Sequence, residues 1–153
     1  MLREGIAKLS FILSSEAEAL FLRYRELLLD WNQRINLTSI TSLEDVELRH
    51  FLDSLTVTRA LPETQWEEAG VVDIGSGAGF PGVPLKILIP TMRLTLVESA
   101  SKKVAFLQHL VGELELKDVR ILRGRAEELA RDTDLRECFN VVLARAVAPL
   151  NVL

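Results

Sequence analysis

Apolar positions along this chain change their period between Pro62 and Val71. Before that point they recur at helical spacing: Ala17, Leu20, Phe21, Tyr24, Leu27, Leu28, Trp31 and Ile35 fall on one helical face. Ser15 with Glu18 reads as a capping box opening this helix, and the polar turn Asn36-Leu37-Thr38-Ser39 closes it. Thr41 with Glu44 predicts a second cap, with a helix through Leu48. A third helical stretch, Phe51 to Leu61, stops before Pro62. Beyond Val71 short apolar runs alternate with helical ones. Strands are predicted at Val71–Ile74, Leu94–Glu98, Val119–Leu122 and Phe139–Ala144, and helices at Val83–Ile89, Ser101–Leu114 and Ala126–Ala130. Strands with so little polar interruption, each followed by a helix, predict an α/β fold with a parallel sheet covered on both faces. The chain stops soon after the fourth strand, which is expected to lie at a bare edge of an incomplete sheet.

One segment breaks the pattern of simple packing. Asp73-Ile74-Gly75-Ser76-Gly77-Ala78-Gly79-Phe80-Pro81-Gly82 carries a strand into four glycines. Glycine there costs backbone entropy and adds no side chain, so its use points to a ligand that approaches the main chain. Backbone N–H groups at the next helix start then face that ligand, which marks a nucleotide-type site. Gly77, Gly79 and Gly82 satisfy G-x-G-x-x-G, a weak signal alone. Asp73 lies inside the strand, and Pro81 removes an amide proton that a pyrophosphate would use. Together they point to a ligand less anionic than a pyrophosphate, and the acid before the loop suits one with positive charge, such as a sulfonium or an amino group.

Three further positions fall at the predicted C-terminal ends of strands, where a doubly wound sheet opens onto its ligand crevice. Glu98 ends the second strand, placed to accept hydrogen bonds from ribose hydroxyls. Ala126, after the third strand, is small enough to pass an adenine, and its amide or Glu127 can bond the base edge. Arg145 ends the fourth strand, where a ligand or phosphate contact is expected.

With 153 residues, 48% of them hydrophobic, the chain can bury the core of one domain. No apolar run of about 18 residues predicts a membrane span, and no basic segment leads into an apolar block as in a secretory signal. Cys138 is the sole cysteine, which excludes an internal disulfide and a cysteine metal site; a small buried residue is expected there. These features place the chain in the cytoplasm, with no metal implied. A net charge of −4 argues against broad nucleic-acid binding, leaving Arg123, Arg125, Lys102 and Lys103 as local exceptions.

The segment Asp73 to Gly82 resembles the first motif of class I S-adenosylmethionine-dependent methyltransferases. Four more segments narrow the likeness: Trp31-Asn32-Gln33-Arg34-Ile35-Asn36-Leu37-Thr38, Arg49-His50-Phe51-Leu52-Asp53-Ser54-Leu55, Glu98-Ser99-Ala100-Ser101-Lys102-Lys103 and Ala144-Arg145-Ala146. With them the chain resembles the RsmG (GidB) family from about Ser15 to its last residue. That resemblance implies a class I, Rossmann-like parallel sheet, incomplete at its C-terminal side and preceded by a helical segment. Residues 1–66 would form the helical segment and 67–153 the S-adenosylmethionine-binding core, together one structural domain. It implies methyl transfer to N7 of a guanine in 16S ribosomal RNA, by a monomer that needs no membrane. It carries cofactor contacts onto Gly75, Phe80, Ala126, Glu127 and Arg145, with Asp73, Gly77 and Glu98 completing the pocket. Asn36, Arg49 and His50 belong to signature segments beside the cleft, and packing with hydrogen bonding is the expected role of His50. Family members continue for several strands and helices beyond this chain. Two other readings stay open: a cofactor-binding module without catalysis, and a nicotinamide-dependent oxidoreductase.

Overall fold

Four parallel strands form the frame: β1 (Gly70–Ile74), β2 (Arg93–Glu98), β3 (Val119–Arg123) and β4 (Val141–Ala144), in the order β3-β2-β1-β4. The computed structural model describes residues 2–145; Ala146, which closes the last signature segment, and the residues up to Leu153 lie outside the described residues. Register fixes the two faces of the sheet. Asp73 pairs with Leu96 and Leu143, so these three share a face, while Ile74, Val97 and Leu122 share the other.

Seven α-helical segments accompany the sheet among the described residues: α1 (Leu2–Lys8), α2 (Ser15–Asn32), α3 (Leu43–Asp45), α4 (Asp53–Leu55), α5 (Gly82–Leu88), α6 (Ser101–Glu113) and α7 (Ala126–Leu129). α5 lies on the Asp73 face, where the α-carbon of Gly82 sits against Asp73, Leu94 and Leu96. α2 crosses over α5 and α6, with Trp31 edge-on to Phe106 at 5.6 Å between ring centres. Phe21 and Tyr24, buried on α2, each approach Phe51 at 5.1 Å.

The helical half differs from the expectation in four respects. Helix α1 is not anticipated by the spacing; it buries only Leu2 and Ile6, too few positions to show a period. The cap of α2 is Ser14, whose Oγ accepts the Ala17 N–H at 3.1 Å, while Glu18 turns to Arg3. Ser42, not Thr41, caps the next helix: its Oγ accepts from the Asp45 N–H at 3.1 Å and donates to the Asp45 carboxylate at 2.8 Å. From there one run replaces the two predicted helices. It passes from α3 through a π-helical stretch, Val46–Leu52, into α4, and ends in a 3₁₀ stretch, Thr56–Ala60. No glycine or proline lies between 41 and 61 to stop it, and the wider turn rephases the buried positions.

Among the described residues, the second face of the sheet is only partly covered. Opposite α5, the side chains of Val72, Ile74, Val97, Leu122 and Val142 open onto an apolar trough of about 410 Å³, flanked by the short α7. Val142 is 63% exposed there. The expected burial of Cys138 is also corrected: the thiol is exposed, in the connection between α7 and β4. Among the described residues β4 pairs only with β1, as an edge strand.

Candidate functional site

The glycine loop is built as a closed ring. Gly75, Gly77 and Gly79 take φ values of 66°, 59° and 96°, a region that side-chain-bearing residues rarely adopt. The Gly82 N–H donates to Asp73 Oδ2 at 2.9 Å, joining the end of the loop to the strand that began it. Ser76 Oγ donates to the Asp73 carbonyl at 2.8 Å. A side chain at Gly79 would meet the Tyr24 hydroxyl at 2.7 Å, and that hydroxyl donates to the Ala78 carbonyl at 2.5 Å. Helix α2 therefore grips the loop from outside the sheet.

Neighbouring strand ends are tied to the ring. Ser76 N–H donates to the Val97 carbonyl at 3.0 Å and Gly124 N–H to the Glu98 carbonyl at 3.1 Å. The Glu98 carboxylate accepts twice from the backbone, from Gly77 N–H at 2.8 Å and from Ala100 N–H at 2.9 Å. It is thus a latch between two loops, with lone pairs left for a ligand. Gly75 and Gly77 are partly exposed, but the N–H groups expected to face a ligand are spent: those of Ser76, Gly77, Gly79, Phe80, Gly82 and Val83 are all donated within the protein.

Asp73 carries the unusual charge of the site. It has no exposed surface, and its Oδ1 has no hydrogen-bond partner among the described residues. Burial pushes its carboxyl up to about 7, aided by nearby Glu98 and opposed by the Gly82 N–H and Arg145. An orphaned carboxylate oxygen in such a place is an acceptor waiting for a donor or a positive charge.

Phe80 supports the site from behind. Its ring stacks with His50, at 4.4 Å and 11°, and with Tyr24, at 5.4 Å and 15°, and its N–H donates to the Ser76 carbonyl at 3.1 Å, so the side chain is spent on packing and the carbonyl is what remains for a ligand. Arg145 lies 5.5 Å from the same ring. It is not a free rim arginine: it donates to Asp53 Oδ2 at 3.0 Å, Ser54 Oγ at 3.3 Å and His50 Nδ1 at 2.9 Å. His50 in turn meets Thr38 Oγ1 at 2.7 Å. The Thr38 turn is held by Asn32, whose Oδ1 accepts the Leu37 and Thr38 N–H groups at 2.8 and 3.0 Å.

The residues singled out by the sequence gather at one end of the sheet. Asp73, Gly75, Gly77, Phe80, Glu98 and Arg145 lie at the C-terminal ends of the parallel strands or in the loops leaving them, and Ala126 and Glu127 open helix α7, after the two-residue loop that leaves β3. Ala126 is half-buried at the start of α7, whereas Glu127 is exposed. Asn36 is exposed, and Arg49 points outward to pair with Asp45 at 3.2 Å. Reading by pattern missed Tyr24, Asn32, Thr38, Asp53 and Ser54. Tyr24 looks like one more apolar position of α2; the other four stand within the signature segments, which is their only signal.

A family model described as GidB, rRNA small subunit methyltransferase G, matches residues 17–153. Ribosomal RNA small subunit methyltransferase G of Alkaliphilus metalliredigens is 43% identical over the whole chain and 63% of its own length. Its counterpart in Geobacillus thermodenitrificans is 50% identical over 92% of the chain and 58% of its own length. The chain therefore spans about three-fifths of the curated relatives it matches. Among solved structures, an O-methyltransferase from Bacillus cereus in complex with SAH superposes with a TM-score of 0.54 at 16% identity, covering 94% of this chain and 60% of that one. A precorrin-6y C5,15-methyltransferase from Geobacter metallireducens gives 0.51 at 16% identity, covering 61% of this chain and 46% of that one. At such identities these two likenesses concern the fold alone.

Proposed function

The chain belongs to the rRNA small subunit methyltransferase G family, and from that premise we propose that it binds S-adenosylmethionine and methylates N7 of a guanine in 16S ribosomal RNA. The observation that carries the cofactor is the buried, unpartnered Oδ1 of Asp73 beside the glycine loop, where Gly75 and Gly77 are partly exposed. It fits a ligand that brings positive charge and N–H donors, and it does not fit the pyrophosphate of a nicotinamide dinucleotide. Bound there, S-adenosylmethionine would supply an electrophilic methyl group to a nitrogen whose lone pair carries no proton. No general base is then required, and the residues act by binding, alignment and exclusion of water.

Roles follow for the individual residues. Gly75 and Gly77 let the ligand reach the main chain, and the Phe80 backbone extends that surface. Glu98 accepts from the ribose hydroxyls with the lone pairs its two backbone bonds leave free. Ala126 makes room for the adenine, and its amide or the Glu127 side chain bonds the base edge. Arg145 contacts an anionic group of the cofactor or of the RNA. A guanine in a single-stranded loop can present N7 to such a site.

The helical residues 1–66 and the core 67–153 act in this reading as one domain, supported by the Tyr24–Ala78 and Arg145–His50 bonds that cross between them. The protein works as a monomer in the cytoplasm, where its RNA is; no helix among the described residues is long and apolar enough to cross a membrane.

Calorimetric titration with S-adenosylmethionine, its demethylated product and NAD tests the cofactor. Binding of the first two, lost in Asp73→Ala and Gly75→Val, is expected. Binding of NAD alone would move the chain to the oxidoreductases.

A further inference from the structure

The bond between Arg145 and His50 fixes more than a contact. A guanidinium has only donors, so His50 Nδ1, 2.9 Å from Arg145 Nη2, must be the acceptor and carry no proton. The proton of the neutral ring then sits on Nε2 and is donated to Thr38 Oγ1 at 2.7 Å. Thr38 Oγ1 also accepts the Ile40 N–H at 3.0 Å, which holds the hydroxyl in its turn. The imidazole cannot swing away from this alignment, because it is buried and stacked on Phe80 at 4.4 Å. Tilting the ring would cost the stack, and a half-turn in its plane would cost both hydrogen bonds.

We infer that His50 is a positioning residue: in the Nε2–H form that the donor-only Arg145 guanidinium selects, it holds that guanidinium at the mouth of the ligand site, while Thr38 accepts the Nε2 proton and anchors the ring. The aim of Arg145 at a ligand is thereby set by residues of the helical half, one of them in the turn closed by Asn32. The charged groups around the ring agree. Burial and the Arg145 charge hold the His50 imidazole down at about 4, with Asp53 opposing, so the acceptor is available at neutral pH. Asp53 and Ser54 complete the cradle, and the exposed Asp53 pair alone would fix the guanidinium poorly.

The role at the site rests on the proposed cofactor reading, while the protonation of the ring does not, so the test has two arms. Long-range ¹H–¹⁵N spectra of the full chain report the protonated nitrogen of its two histidines, His50 and His109, and His50→Phe assigns them. The expected spectrum at neutral pH shows His50 protonated on Nε2 alone. A ring protonated on Nδ1, or on both nitrogens, overturns the inference. In the second arm, calorimetry measures affinity for S-adenosylhomocysteine. His50→Phe keeps a stacked ring without the acceptor and should weaken binding about tenfold, the scale of a lost charge-assisted hydrogen bond. His50→Asn places an amide oxygen near Nδ1 and should recover most of that loss. In an Arg145→Ala background, His50→Phe should cost nothing further. Equal binding by His50→Phe and wild type, or equal loss in His50→Phe and His50→Asn, overturns the positioning role. A wild-type chain that binds no S-adenosylhomocysteine, with the Nε2 proton in place, overturns the cofactor reading and the role of the pair at that site.

Discussion

Arg145 and His50 stand 95 positions apart in the chain and 2.9 Å apart in the fold. Their contact brings the end of β4 onto the π-helical stretch, directly beside the ring of Phe80. The glycine loop is thus held on two sides: by the sheet through Asp73 and Glu98, and by the helical half through Tyr24 on the Ala78 carbonyl and His50 on the ring of Phe80.

Two protons link this site to stability, with opposite signs. His50 is held at about 4 against an ordinary 6.5, so the unfolded chain takes up that proton first. Its contribution is complete above 6.5 and is lost as pH falls toward 4. Asp73 is raised to about 7 from 3.8, so the folded chain holds that proton longer, and its contribution is lost as pH rises from 3.8 through 7. Urea unfolding across this range should show Asp73→Asn gaining on wild type as pH rises. His50→Phe should gain on wild type as pH falls. Parallel pH curves for all three proteins would contradict both shifts.

The same carboxyl couples cofactor binding to proton release. A positive ligand near Asp73 favours the carboxylate, so binding near pH 7 should expel part of a proton and tighten as pH rises. Calorimetry of S-adenosylmethionine in buffers of different ionisation heat measures the released proton. Asp73→Asn should bind more weakly and release none from this site.

Gly79 and Tyr24 are expected to be coupled. Gly79→Ala places a methyl 2.7 Å from the Tyr24 hydroxyl and 2.9 Å from Val83 at φ 96°, and should destabilise by about 2 kcal/mol or more. Tyr24→Phe strands the buried Ala78 carbonyl and should cost about 1–3 kcal/mol. In the double variant one clash disappears with the hydroxyl, so the combined loss should fall short of the sum. Denaturant titration of the four proteins reads the coupling.

Glu98 offers a test of its two roles. Glu98→Gln keeps the shape but can accept from only one of the Gly77 and Ala100 N–H groups, and presents a donor to the other. A stability loss of about 1–2 kcal/mol is expected, together with weaker cofactor binding. If Glu98→Gln leaves unfolding unchanged, the latch makes no contribution.

Much of the Rossmann-like half could be read from the chain, since buried parallel strands are short apolar runs and the glycines punctuate them. β2 and α6 match expectation to within a residue at each end. The helical half was harder. Both predicted capping boxes are displaced by one residue, because Ser14-Ser15 and Thr41-Ser42 each offer two adjacent hydroxyls and only backbone geometry chooses between them. The π-helical stretch has no simple period to detect. At the site, glycines and acids advertise a ligand by their cost, whereas Tyr24 is indistinguishable from its apolar neighbours until its hydroxyl is seen on Ala78. The open sheet face escaped notice because residues such as Val142 look buried in sequence whatever covers them.

Methyl transfer itself is the most direct test. Incubating the chain with methyl-labelled S-adenosylmethionine and undermethylated small-subunit RNA, then digesting to nucleosides, locates any label. The account predicts label in 7-methylguanosine, lost in Asp73→Ala. Cofactor binding with no label in the RNA would contradict it and leave a binding module in its place.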